Sequence, residues 1–177
     1  MKHLLLAAYV ALMAGVVGTA IAQDAPMPTF TTHEAQLVRA DVIGLLPHGM
    51  RVNSHYAGTV TEGLFAGLPV EGIDYVLIRY DGVMVIDSRG VILLPTGLVV
   101  GYSLKGYWDA PVEMPPLEAL LDPEFQFPDE DVPGHGVAWF ETMVPEYAFL
   151  NHTLFAWTGV INLGKQEVWG HYRALSE

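Results

Sequence analysis

Beyond residue 32, the chain alternates between short apolar runs and glycine. Each run is rich in Val, Ile, Leu and Tyr and is too short for an ordinary helix, which indicates strands. Asp81-Gly82 separates two of the runs and predicts a hairpin turn, since Asp-Gly accepts the positive φ angles of a tight turn. The predicted strands cover residues 75–80, 83–87, 98–104, 136–143, 148–160 and 166–174.

Only residues 115–122 have a helical pattern. Proline opens this segment, and Leu117, Leu120 and Leu121 follow at helical spacing. Residues 123–134 are acidic and rich in proline, which predicts a loop. Many short strands and one short helix are typical of a closed antiparallel barrel or a sandwich. Glycines within strands mark sharp bends, where a sheet curls closed. They therefore favour the barrel over the sandwich, and the predicted fold is all-β: a small antiparallel β-barrel.

The N-terminus predicts a targeting segment. Lys2 precedes an apolar run of about 14 residues, shorter than the roughly 20 of a membrane span, and the run leads to Ala20-Ile21-Ala22. We therefore expect a cleaved signal peptide at 1–22, a linker at 23–32 and one barrel domain at 33–177, in a periplasmic or secreted protein. The alternative is an uncleaved N-terminal anchor.

The charge balance and the absence of cysteine exclude several function classes. The chain has 20 acidic and 8 basic side chains, a net charge of -12, which disfavours nucleic acids and anionic membranes as partners. With no cysteine, it has no zinc-thiolate site, iron–sulfur cluster or cysteine nucleophile. Nucleotide-binding and local metal-ligand motifs are also missing, so no cofactor and no metal is expected. The oligomeric state, including a homo-oligomer, stays open.

Three blocks of sequence resemble one family. They are Phe-Glu-Thr at 140–142 followed by Tyr-Ala-Phe-Leu-Asn and Thr-Leu-Phe at 147–155, Asp-Gly with Asp-Ser-Arg at 81–89, and Gly-x-Phe-x-Gly with Gly-Ile-Asp-Tyr at 63–75. In this order they resemble domain of unknown function 3237, also called uncharacterised protein family 0311. Phe149 and Tyr75 stand where the family usually has Trp. The resemblance implies a small β-barrel and carries over no catalytic residues.

Strand alternation groups the candidate catalytic residues by face. Asp87 and Arg89 share one face, either to orient a substrate or as a structural ion pair. Glu141 shares a face with Trp139, whose apolar ring would raise the pKa of the carboxyl group; alternatively, Glu141 accepts backbone hydrogen bonds. Asn151 would polarise a ligand carbonyl or fix the sheet as a buried amide.

Asp74 is a further catalytic candidate, with a turn residue as the alternative. The aromatic side chains expected to contact a ligand are Trp139, Tyr147, Phe155 and Tyr75.

The predicted function is binding of a small apolar or aromatic molecule inside the barrel. One hypothesis is a cofactor-independent isomerase, cyclase or lyase that works by proton transfer and positioning. The alternatives are a non-catalytic carrier of a small hydrophobic ligand and a packed structural or interaction module. The sequence does not decide whether the protein is an enzyme. All functional hypotheses require Trp139, Glu141, Asn151 and Arg89 to face a hollow interior.

Overall fold

The chain folds as a closed barrel in which each strand pairs antiparallel with its sequence neighbours and the last strand pairs with the first. The computed structural model describes residues 29–112 and 114–175, so the predicted signal peptide lies outside the described residues. The prediction of a small antiparallel β-barrel is confirmed. The strands are β1 Thr29–Leu46, β2 Gly49–Gly63, β3 Pro69–Ile78, β4 Met84–Leu93, β5 Val99–Trp108, β6 Asp131–Glu141, β7 Leu154–Asn162 and β8 Glu167–Ala174.

Most of the predicted strands and the hairpin turn are present. The β3–β4 turn contains Asp81-Gly82; Gly82 has a φ of 85°, and the Arg79 N–H donates to the Val83 carbonyl at 2.9 Å. The longest strands, β1 and β2, were not predicted as such. β1 begins at Thr29, inside the segment 23–32 expected to be a linker. Its pairing with β2 shifts register at three places, and such bulges interrupt the two-residue alternation that identifies a strand.

Two short 3₁₀ helices connect strands. η1 (Leu117–Leu121) lies where the helix was predicted. η2 (Pro145–His152) corrects the prediction of a strand over 148–160, because β7 begins only at Leu154. Pro145 occupies the first turn of η2, where a missing N–H removes no helical hydrogen bond. Among the described residues, no helix is long and apolar enough to cross a membrane.

The β2–β3 turn and η2 close one end of the barrel, which we call the closed end. Phe65 from the turn and Leu150 from η2 are both almost completely buried. The Phe65 ring meets the Tyr147 ring edge to face, with 5.1 Å between centroids. In an up-and-down barrel, the β1–β2, β3–β4, β5–β6 and β7–β8 connections lie at the opposite end, and η1 belongs to the β5–β6 connection.

Inward-facing glycines make room for large interior rings. A Cβ atom at Gly72 would lie 2.3 Å from the Tyr56 hydroxyl, and one at Gly90 would lie 2.6 Å from the Tyr102 hydroxyl. A Cβ atom at Gly134 would come within 2.4 Å of the Trp108 ring. These glycines therefore let aromatic rings lie flat against neighbouring strands, a role distinct from the sharp bends that their positions suggested.

Candidate functional site

A cavity of about 250 Å³ occupies the end of the barrel opposite the closed end; we call it the mouth cavity. Its wall is mostly apolar and includes side chains from β2, β3, β4 and β7, with Leu120 of η1 and Phe127 of the following loop. Its polar lining residues are Arg39, Ser54, Asp74 and Gln166. The arrangement is typical of small-molecule sites, in which a few polar groups interrupt an apolar wall.

Asp74 is the buried acid of this cavity. It faces inward from β3 and pairs in register with Ser54 of β2 and Ser88 of β4. Only 6% of the residue is exposed. Burial raises the pKa of Asp74 to about 6, because the charged carboxylate loses its hydration, and a hydrogen bond with Ser88 offsets part of that rise. Among the described residues, Asp74 is the one carboxyl group that lines the mouth cavity.

Behind Asp74, hydroxyl groups form a buried network. The Ser88 hydroxyl and the Tyr56 hydroxyl are hydrogen-bonded at 3.0 Å, and Tyr56 is also hydrogen-bonded to Tyr102. Burial raises the pKa of Tyr56, and it raises the pKa values of Tyr102 and Tyr172 as well. These phenols therefore stay protonated at neutral pH and act as neutral hydrogen-bonding groups.

His33 of β1 lies beside this network. We call Asp74, Ser88, Tyr56, Tyr102, Tyr172 and His33 the buried polar layer. The His33 ring stacks near Tyr56, with 6.4 Å between centroids, and lies 5.6 Å from Tyr172. Burial lowers the pKa of His33 to about 4, and the charge of His171 adds to this effect. His33 is therefore neutral at pH 7 and gives Asp74 no positive charge to pair with.

A second, much smaller cavity of about 20 Å³ lies deeper in the barrel, and we call it the inner cavity. Asp74 and Trp108 line both cavities and so form part of the wall between them. Trp108 packs edge to face on Trp157, with 4.8 Å between ring centroids. Within the described part of the chain, neither indole N–H has a hydrogen-bond partner. Both indole rings border the inner cavity, together with Asp74, Tyr56 and Tyr172.

The predicted Asp87–Arg89 pair lies on the outer face of the barrel, not inside it. The Arg89 side chain is 63% exposed, and its Nε lies 3.5 Å from Asp87 Oδ1. Lys105 Nζ, from β5, is 3.8 Å from the other carboxylate oxygen of Asp87. The two residues do share a face, but it is the wrong one for the expected role, because Ile86 and Ser88 occupy the inward positions of β4. The arrangement matches the structural ion pair that was the alternative.

Glu141, Trp139 and Asn151 also lie outside the barrel interior, which corrects the expectation that they face the hollow. In β6, the inward positions belong to Ala138 and Phe140, so Glu141 is exposed and Trp139 is only half-buried. Asn151 lies in η2: its Oδ1 accepts a hydrogen bond from the Thr142 N–H at 2.8 Å, and its Nδ2 donates to the Thr142 carbonyl at 3.0 Å. Asn151 therefore fastens η2 to the end of β6.

The predicted aromatic contacts are divided between different regions. Tyr75 points outward from β3, and Tyr147 packs at the closed end. Phe155 is fully buried inside the barrel against Phe140, with 5.0 Å between ring centroids, and lines neither cavity. Of the predicted site residues, the structure thus brings only Asp74 to the mouth cavity.

Sequence reasoning missed the residues that surround Asp74. Ser54, Tyr56, His33 and Ser88 reach it from β1, β2 and β4, which are separate in sequence. One local signal was available: Val70, Val76 and Ile78 share the even positions of β3 with Asp74, and an apolar face indicates the core. That pattern marks Asp74 as a buried acid rather than a turn residue.

Fold and site together define a closed eight-stranded antiparallel barrel with an apolar mouth above a buried polar layer. Among the described residues, no group of three or more His, Asp or Glu side chains could hold a metal ion. No protein-family model matches the sequence, and no curated protein matches it significantly. The resemblance to domain of unknown function 3237 therefore stays a prediction.

Solved bacterial structures share the fold. A protein of unknown function from Clostridium acetobutylicum is similar with a TM-score of 0.66 and 20% identity, and a conserved protein of unknown function from Rhodopseudomonas palustris with 0.63 and 20%. Each alignment covers 86% of this chain and 100% of the other. A β-barrel-like protein from Acinetobacter baumannii gives 0.58 and 22%, covering 86% and 99%. At this identity the similarity shows the fold alone.

Proposed function

We propose that the protein binds one small, mostly apolar molecule in the mouth cavity, with the polar group of that molecule facing Asp74 and Ser54. The observation that carries the proposal is a cavity of about 250 Å³ whose mostly apolar wall includes the buried carboxyl group of Asp74. A ligand seated there would exchange water contact for apolar contact, and that exchange drives binding in such sites.

The charges around the mouth cavity favour a neutral ligand. Arg39 is the cation of its lining, but its guanidinium is hydrogen-bonded to Asp41 at 2.8 Å and lies 2.8 Å from the ring of His55. An anionic ligand would therefore compete with Asp41 for Arg39 and would approach the carboxyl group of Asp74. Like charges in an apolar site repel strongly, so a carbonyl or hydroxyl group suits this end of the cavity better than a carboxylate does.

The cavity argues against the packed-module alternative. A barrel whose lumen is filled throughout by side chains leaves no space for a ligand, as at the closed end. Here the large rings of Tyr102, Phe140 and Phe155 fill the middle of the barrel, and the mouth cavity is much larger than the inner cavity.

A pair of substitutions on β3 tests binding. Val76 lines the mouth cavity and Leu77 is the next residue on the opposite face, so Val76→Phe should fill the cavity and Leu77→Phe should not. With cyclohexanone and acetophenone as probes, ligand-observed NMR should detect binding to the wild type and to the Leu77 variant. The Val76 variant should bind at least tenfold more weakly.

Thermal unfolding shows whether both variants are folded. Equal binding by a folded Val76→Phe protein would place the ligand elsewhere and overturn the proposal. Failure of the wild type to bind either probe would also count against it.

Export remains a separate proposal that rests on the N-terminal sequence. The expected product is a mature chain that begins at Gln23 in the periplasmic or extracellular fraction. N-terminal sequencing of the fractionated protein tests it, and an intact N-terminus would contradict cleavage.

A further inference from the structure

We infer that the mouth cavity is an active site in which the Asp74 carboxylate moves a proton between two carbon atoms of a small unsaturated ketone, while the Ser54 hydroxyl binds the ketone oxygen. This inference rests on the proposed function, because the substrate must occupy the mouth cavity. It adds a reaction and a substrate class to that function.

The placement of Asp74 suits a catalytic base. It lies in the wall of the mouth cavity, so a bound molecule reaches it directly, and Trp108 lines the same wall. Ser54 also lines the cavity and is the register partner of Asp74 on β2. A base and a hydroxyl donor side by side, facing an apolar pocket, can address an acidic C–H bond and the neighbouring carbonyl oxygen of the same molecule.

Among the described residues, no cation is paired with the Asp74 carboxylate, because Arg39 of the cavity lining is paired with Asp41. From β1, β2, β5 and β8 Asp74 faces His33, Tyr56, Tyr102 and Tyr172, all of which are neutral at pH 7. With its pKa raised to about 6, Asp74 is still mostly ionised at pH 7 and is a stronger base than an ordinary aspartate. A base with a pKa near the working pH combines the correct protonation state with a good driving force.

The proposed step conserves atoms and electrons. Asp74 removes a proton from the carbon between the carbonyl group and the double bond, and the electron pair of that C–H bond delocalises into a dienolate. The oxygen of the dienolate accepts the hydrogen bond of Ser54. Asp74 then returns the same proton to the far carbon of the former double bond, which gives the conjugated ketone. No oxidant, reductant or cofactor takes part in this isomerisation.

Ser88 and Tyr56 are positioning residues in this scheme. Ser88 is hydrogen-bonded to Asp74 and to Tyr56, and Tyr56 is in turn hydrogen-bonded to Tyr102. This chain of hydrogen bonds orients the Asp74 carboxylate. The strands fix all of these side chains, and a rigid base needs little reorganisation during the reaction. Because the Ser88 hydrogen bond lowers the pKa of Asp74, Ser88→Ala should move the pH profile of the reaction upward.

Isomerisation of 3-cyclohexen-1-one to 2-cyclohexen-1-one, followed by the absorbance of the conjugated product, tests the inference. Asp74→Asn should lower the rate about 100-fold or more, since general base catalysis contributes that much. Glu71→Gln is the matched control, because Glu71 lies on the same strand and points outward. The wild-type rate should rise with pH through about 6 and then level, as the Asp74 carboxyl group ionises.

Binding of 2-cyclohexen-1-one, measured separately by NMR, distinguishes a failure of the proposed catalysis from a failure of the proposed binding function. If Asp74→Asn binds this ketone and isomerises 3-cyclohexen-1-one as fast as the wild type does, proton transfer by Asp74 is wrong and binding stands. A wild type that binds but does not isomerise also overturns the inference and leaves the carrier function. A wild type that does not bind refutes both. Unchanged pH dependence in Ser88→Ala would remove Ser88 from its positioning role.

Discussion

At the closed end of the barrel, Phe65 and Leu150 fill the interior with apolar side chains, whereas at the other end the same strands surround a cavity and a buried carboxyl group. The closed end thus gains the free energy of apolar burial without opposing polar groups. The mouth leaves volume unfilled and buries Asp74 with an unfavourable shift of its pKa. An unfilled cavity and a buried carboxyl group both lower stability, and an interior selected for packing alone would contain neither. Such a region is therefore a candidate functional site.

Truncation at the closed end should have the largest effect on stability. We expect Phe65→Ala to lower the free energy of unfolding by about 3–5 kcal/mol, because it removes a fully buried ring and leaves a cavity. Chemical denaturation measures this loss. Leu64→Ala, at an exposed neighbouring position, should change stability by less than about 0.5 kcal/mol. Similar losses in the two variants would show that the closed end does not carry the packing energy assigned to it.

The buried polar layer should show two opposing pH effects on stability. The pKa of Asp74 rises from 3.8 to about 6 on folding, so its contribution is most favourable below pH 3.8 and is lost as the pH rises through 6. The pKa of His33 falls from 6.5 to about 4, so its contribution is full above pH 6.5 and is lost as the pH falls towards 4. Each pKa shift changes the free energy of unfolding by about 3 kcal/mol across its pH range. Between pH 4 and 6.5 the two changes have opposite signs and largely cancel.

Single substitutions should separate the pH dependence of stability due to Asp74 from that due to His33. On acidification from pH 7 to 4, Asp74→Asn should lose up to about 3 kcal/mol relative to the wild type, because only the His33 effect remains. His33→Gln should gain a similar amount relative to the wild type over the same range. Urea denaturation at several pH values measures both differences. Parallel curves for the three proteins would show that neither group changes its pKa on folding.

Gly72 tests how closely the interior rings fit their strands. Gly72→Ala should destabilise the protein by about 1–3 kcal/mol, since the new Cβ atom would lie 2.3 Å from the Tyr56 hydroxyl and 2.6 Å from the Arg89 carbonyl oxygen. Gly101→Ala is the control, because its nearest contact is the flexible Glu141 side chain at 3.3 Å. Thermal unfolding compares the two. An equal or smaller loss at Gly72 would contradict the tight fit.

The smallest effect is expected at Asn151. Asn151→Ala removes both side-chain hydrogen bonds between η2 and Thr142 at an exposed position, and should cost about 1 kcal/mol. Hydrogen exchange of the Thr142 amide should speed up, while probe binding in the mouth cavity stays unchanged. A loss of probe binding would show that the two ends of the barrel are coupled.

Sequence patterns predicted the β3–β4 hairpin and η1 well, and β1 and η2 poorly. The β3–β4 hairpin and the η1 segment follow from local turn and spacing rules, so they were found. The length of β1 was missed because its bulges interrupt the alternation of side chains. η2 was mistaken for a strand because its aromatic residues have strand propensity, whereas the burial of Leu150 at the closed end selects the helical turn.

The residue pattern was enough to predict an all-β chain with closely spaced turns and to show which residues share a face of a strand, as Asp87 and Arg89 do. In β4, however, the tertiary structure was needed to show which face looks inward. Closure of the barrel places Asp74 of β3 between Ser54 and Ser88 of its neighbours and leaves Asp87 outside. The apolar residues Ile86 and Ile92 lie on one face of β4 and Val85 and Val91 lie on the other, so the pattern leaves the phase open and packing across the interior chooses it.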